Sequence, residues 1–226
     1  MNIDRKPDCK NKSVITRTFK EAAAMHTLGK TLSTFMRGLT LTLCAGLLAG
    51  SPVIVNADGN HGYPPEQVPL DFLTGGGFIV RDTATKANFG VAGGVKHGAW
   101  WGHLNYIDHL NGLHVKHTSI TAYIRIGEDG TDPQNGQPTG TRDICGTATT
   151  NLYGDVDFHV RATDNGEPGR DDIFILRLGQ NGAVVYTTEA DSDHTLGGSG
   201  SGGGNIQLHK GNRSNTAPST PPVCNI

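Results

Sequence analysis

The sequence predicts an all-β protein, an antiparallel β-sandwich or squat barrel of about eight to ten strands. Three observations carry this. Apolar residues beyond Asp58 recur with period two rather than 3.6. Turn signals punctuate the alternating runs at Asn111-Gly112, Asp129-Gly130, Asn135-Gly136 and Asn181-Gly182. No amphipathic helical stretch follows Asp58.

Taken in order, residues 58–74 read as an extended arm, because Pro64, Pro65 and Pro69 forbid a regular helix. Gly75-Gly76-Gly77 opens the β domain, 75–210. Phe78 and Val80 alternate with Ile79 and Arg81. Phe89, Val91, Gly93 and Val95 share a face, and Leu104 and Tyr106 oppose Asn105 and Ile107. Ile120, Ala122, Ile124 and Ile126 form an inward row, with Thr121, Tyr123 and Arg125 opposite. Val156, Phe158, Val160 and Ala162 repeat that row against Asp157, His159 and Arg161. Phe174, Leu176 and Leu178 do so again, with Ile173 and Ile175 behind them, and Ile206 and Leu208 close the series. Gly127–Thr141 reads as a longer polar loop and Gly197–Gly204 as a flexible exposed connection. The polar, proline-bearing segment 211–226 reads as a disordered tail.

Upstream, residues 38–57 read as the core and cleavage region of a secretory signal. The apolar run is too short for the roughly 20 residues that span a bilayer. Val55 and Ala57 place small side chains three and one positions before a cut after Ala57. The expected product is secreted and begins at Asp58. A start at Met36 or Met25 gives the compact form of such a leader, so Met1 lies earlier than export requires. Leu43 stands where lipidation of Cys44 would need a small residue. Removing 1–57 leaves 169 residues, enough for one domain. They hold 11 Lys/Arg and 18 Asp/Glu, a formal charge of −7. That balance gives no electrostatic reason to bind nucleic acid. Carbohydrate, metal cations or another protein fit better as partners. No transmembrane anchor is expected in the mature chain.

Several residues are candidates for chemistry. Cys145 and Cys224 are the cysteines beyond the leader. An oxidising compartment allows them to pair, and a free or intermolecular thiol is the alternative. Asp164-Asn-Gly-Glu-Pro-Gly-Arg-Asp-Asp172 gathers hard oxygen groups on a glycine-bent loop. Asp164, Asn165, Glu167, Asp171 and Asp172 are therefore candidate Ca²⁺ ligands, against the simpler reading of a solvated turn. Glu128–Asp132 is a second acidic loop. His103, His109, His114 and His117 are candidate Zn²⁺ ligands if they converge across the Asn111-Gly112 hairpin, against the simpler reading of polar strand faces. Trp100-Trp101 with Tyr106 could form a platform for sugar stacking. Adjacent residues on a strand point to opposite faces, so at most one tryptophan can be exposed there, against the simpler reading that both pack in the core. No nucleophile motif and no phosphate-cradling loop is present, so no catalytic residue and no bound cofactor beyond a candidate Ca²⁺ is assigned.

Five segments occur in an order that resembles the bacterial exported post-choice-of-anchor (post-COAP) domain. They are Gly75-Gly76-Gly77-Phe78-Ile79, Lys86-Ala87-Asn88-Phe89-Gly90, Gly102–His109, Asp164–Gly169 with Asp172–Leu176, and Gly203–His209. The resemblance spans about 75–210. It implies a β-rich secreted or surface domain without an assigned activity. Many members carry a cysteine just before the Asp-Asn-Gly-Glu-Pro-Gly turn, where this chain has Ala162 and Thr163. The tail has no sortase-type motif, so a released product is expected. The reading is an exported non-catalytic β domain for surface or matrix binding, adhesion or structure. The alternatives are a secreted metal-dependent hydrolase and a Ca²⁺-stabilised carbohydrate-binding module. N-terminal sequencing of the secreted product is expected to begin at or near Asp58. An intact Met1 on a cytosolic product would overturn the export reading.

Overall fold

The computed structural model describes residues 68–199, 201–212 and 214–226. The leader, its cleavage region and most of the proline-bearing arm lie outside them. Among the described residues the chain is all-β. Its strands are β1 (Phe72–Val80), β2 (Lys86–Lys96), β3 (Ala99–Asp108), β4 (Leu113–Thr131), β5 (Pro138–Thr150), β6 (Gly154–Asp164), β7 (Ile173–Gln180), β8 (Ala183–Thr187) and β9 (Gly204–His209). They form one antiparallel sheet in the order β8-β7-β6-β5-β4-β3-β2-β1-β9. Every neighbouring pair but one is a hairpin between consecutive strands. The exception lays β9 along β1, pairing Leu73 with Leu208 and Gly75 with Ile206.

The period-two rows build the core. Phe89, Val91, Leu104, Tyr106, Val156, Phe158, Val160, Phe174, Leu176, Ile206 and Leu208 belong to one buried cluster. At the β7–β8 turn, Asn181 and Gly182 both have positive φ, 53° and 77°, as a two-residue turn matched to strand twist requires.

The sheet does not close, yet its two halves are stitched together. After β8 the chain crosses from β7 to β1. Phe174 N–H donates to the His194 carbonyl, Leu196 N–H to that of Asp172, and Gly197 N–H to that of Phe78. The glycine run, expected as a flexible connection, is thus anchored at its start, and Phe78 N–H donates back to Gly203. A Cβ on Gly203 would lie 2.3 Å from the Gly197 nitrogen, so glycine is what permits this approach.

Strand β4 departs from the expected row. Its pairing with β5 shifts register between His117 and Ser119, between Ile120 and Ala122, and between Ile126 and Gly130. Each shift of one residue exchanges the two faces. Ile120 packs on the main core, but beyond the second bulge Tyr123 takes the core side. Ala122 and Ile124 instead form a second small cluster with Cys145, against which Ile126 and Cys224 pack. Asp129-Gly130, read as a turn, lies within β4. The polar loop expected over 127–141 contracts, because Gly130 pairs with Thr139 and Thr131 with Pro138. The first strand also begins earlier than Gly75, at Phe72.

The second cluster explains the tail. Cys145 and Cys224 form a disulfide with Cα atoms 5.3 Å apart. Thr121 and Val223 exchange hydrogen bonds, Asn215 Nδ2 donates to the Val95 carbonyl, and Ile226 lies over Gly179. The segment expected to be disordered is fastened across the back of the sheet. A cross-link closing so long a loop restricts the unfolded chain, an effect of about 4–5 kcal/mol in the chain-entropy model. Replacing both cysteines by serine is expected to cost about 2–5 kcal/mol in denaturant unfolding. A loss below about 0.5 kcal/mol, the scale of an ordinary surface substitution, would show that the cross-link contributes nothing to stability.

Candidate functional site

The acidic turn between β6 and β7 occupies the seam opposite β9. In the β1–β9 register the amides of Ile206 and Leu208 face away from β1. Ile206 N–H donates to Asp172 Oδ2 and Leu208 N–H to Asp164 Oδ2, both at 2.7 Å. The other oxygens are used as well: Asp172 Oδ1 accepts from Asn165 N–H at 2.9 Å and Asp164 Oδ1 from Gly166 N–H at 2.8 Å. Two side chains thus stand in for the missing neighbour strand. Asp132 joins from the β4–β5 loop, accepting Glu167 N–H at 3.1 Å. Glu167 Oε1 accepts from Asn205 Nδ2, and Asn165 Nδ2 donates to the Asp171 carbonyl.

The candidate Ca²⁺ ligands are therefore dispersed over several tasks. Asp164 and Asp172 are buried against backbone donors, while Asp171 is exposed beside Arg170. Among the described residues, no group of three or more His, Cys, Asp or Glu is placed to hold a metal ion. Burial pushes the Asp172 carboxyl up to about 6, against the pull of its two N–H donors. Burial raises Asp164 as well.

The histidines separate. His103 and His117 come together, with ring centroids 6.3 Å apart. Burial and the neighbouring His117 both lower the pKa of His103. The Nδ1 atom of His117 is buried without a hydrogen bond. His109 instead lies 2.7 Å from Asn88 Oδ1, and the His114 backbone is held by Asn151. Only the first two of the four face each other.

The aromatic platform is built differently from the expectation. Trp100 packs against the core and Tyr106 is buried within it, leaving Trp101 exposed at 39%. Its partners come from other strands. Register aligns His209, Phe72, Gly94 and Trp101 in a row across β9, β1, β2 and β3. Phe72 stacks on His209 at 4.4 Å and meets Trp101 edge-on at 6.2 Å. A second row carries Gln207, Thr74, Ala92 and His103, with Thr74 Oγ1 2.8 Å from His209 Nε2. A third carries Asn205, Gly76, Gly90 and Asn105. This outer face combines aromatic, amide and hydroxyl groups and bears no carboxylate in these rows.

Two buried polar networks were not singled out in the sequence. Arg142 is fully buried, bonded to Asp71 at 2.6 Å and Asp129 at 2.7 Å, while Tyr123 OH donates to Asp71. Burial opposes the Arg142 charge, but these carboxylates more than offset it and raise its pKa. Asp108 accepts from Arg81 and from Tyr186 OH, which also contacts Tyr106 OH; burial pushes the Tyr106 phenol up to about 12. Parity was the available signal. Arg142 shares a face with Ile144, and Asp108 with Tyr106.

Compared with family models, curated proteins and solved structures, the chain finds no match.

The seam has a pH signature. An Asp whose native pKa lies above its unfolded value near 3.9 supports folding in its protonated form. That contribution is fully present below about pH 4 and is lost as pH rises through about 6. The stability of the wild type relative to Asp172→Asn, from urea unfolding, is expected to fall between pH 4 and pH 7. A difference that rises with pH would show that the N–H donors outweigh burial, and one independent of pH that the two cancel.

Proposed function

We propose that the chain is an exported, non-catalytic domain that acts by binding, as an adhesive or structural component at a cell surface or in an extracellular matrix. The observation that carries this reading is the outer face of β9-β1-β2-β3, where Trp101, Phe72 and His209 stand beside rows of amides and hydroxyls. Aromatic side chains with a polar surround are what recognition surfaces favour, because they bury large area with few torsions to freeze. The resemblance to the post-COAP domain adds support. Its segments fall on β1, β2, β3 and β9 and on the seam that holds β9 in place, so they coincide with the elements that build this face.

Carbohydrate is favoured over a metal-dependent reaction as the business of this surface, since Trp101 is exposed at the end of a half-buried aromatic row and the four histidines do not converge. Fractionation of a producing culture tests the binding reading. The protein is expected in the cell-surface or matrix fraction, and Trp101→Ala is expected to shift it toward the medium. Wild-type protein found wholly in the medium would overturn it.

A further inference from the structure

Most glycines in the strands of this sheet are accounted for by close packing or, as at Gly127 and Gly154, by a left-handed φ. A Cβ at Gly75, Gly77, Gly93, Gly94, Gly102 or Gly146 would approach a neighbouring atom to 2.7 Å or less. Packing therefore explains them. Gly90 is different, because a Cβ there would meet nothing within 4 Å, and at Gly76 the nearest atom, the Phe89 carbonyl oxygen, would lie 3.5 Å away. Neither has a left-handed φ that would call for glycine. Glycine inside a strand weakens it, and where packing does not demand it, close approach of a ligand to the backbone is a recognised reason. These two glycines are direct partners on β1 and β2, so together they leave a bare saddle of peptide backbone on the outer face.

The surroundings define what fits. Asn205 and Asn105 close the two ends of the saddle, and Thr74 and Asn88 flank it along the strands. Asn105, exposed, offers both a donor and an acceptor, whereas the Asn205 amide is turned into the seam, with Nδ2 on Glu167 and Oδ1 buried. Beyond Asn105 the same row continues through Lys116 and Thr149, along a surface groove of about 460 Å³ that these residues line. From β9 to β5 the track crosses five strand spacings, about 24 Å. Charge along it is nearly balanced: Lys116 is followed, one strand beyond Thr149, by Asp155. An extended peptide is a poor occupant, because the backbone groups of β1 and β2 are already paired on both sides and offer no edge for strand addition.

We propose that this glycine-floored track binds a neutral polysaccharide, running across the strands with a pyranose ring seated on Gly76 and Gly90. The inference rests on the binding reading above and names its ligand class. The full secreted protein is titrated calorimetrically with cellohexaose, chitohexaose and laminarihexaose, and with oligogalacturonate as the anionic comparison. At least one neutral hexasaccharide is expected to bind. Gly90→Leu, whose Cβ meets nothing within 4 Å and whose side chain would occupy the saddle, is expected to weaken binding at least about tenfold without lowering the melting temperature. Asn105→Ala should weaken it in the same direction, and Val184→Ala on the far edge strand should not. Absence of binding to all three neutral sugars, equal binding by Gly90→Leu, or preference for oligogalacturonate would overturn the proposal. So would a dimer that Gly90→Leu dissociates without any sugar effect, which would assign the face to a second copy. Surface retention that survives Gly90→Leu in a protein that binds no hexasaccharide would remove the sugar site and leave the broader binding reading standing.

Discussion

Two buried carboxylates bear the heaviest structural duty in this molecule. The sheet remains open, so β9 has a partner strand on one side only. Its other side would leave the amides of Ile206 and Leu208 buried without acceptors, and each such group costs about 1–3 kcal/mol. Asp164 and Asp172 supply those acceptors from a turn that is itself held by their remaining oxygens. With β9 fixed, β1 is paired on both sides, and the outer face acquires His209, Gln207 and Asn205. The acidic character of the turn is thus spent on backbone geometry.

The bulges in β4 organise the opposite half. By exchanging faces at Ile120/Ala122, the strand gives Tyr123 to the main core and turns Ala122 and Ile124 outward. Exposed, they would form an apolar patch. The tail covers them, and the disulfide places Cys224 in that patch. Bulge, second cluster and tail are consequences of one another. Arg142 performs a comparable service nearby, linking Asp71, just ahead of β1, to Asp129 in β4.

Most of the architecture was legible because strand periodicity reports burial directly. The rows Val156–Ala162 and Phe174–Leu178 face the core as alternation implies. The row at 120–126 was misread because alternation assumes an unbroken ladder, and a bulge leaves no mark in hydropathy. The seam was partly legible. Continuing the inward row from Ala162 by one step reaches Asp164, and stepping back from Phe174 reaches Asp172, so both carboxylates occupy core positions. Solvated turns rarely place two acids there. The tail looked unstructured because its composition is polar; a single cysteine and a few backbone contacts hold it. The platform was misassigned because Phe72 and His209 lie far from Trp101 in sequence and become neighbours only through the β1–β9 pairing. Charge and composition could suggest a ligand class but not the face that displays it.

The pairing of the first strand with the last has a consequence for the order in which the molecule can be made. Local hairpins from β2 to β8 can assemble as the chain emerges, but β1 lacks its second neighbour until residues 204–209 exist. Contacts of such long sequence separation are slow to form. During synthesis the glycine-rich first strand therefore waits as an open edge, able to pair with another chain. The same aspartates that hold β9 in the finished fold thereby keep that edge covered once the last strand has docked.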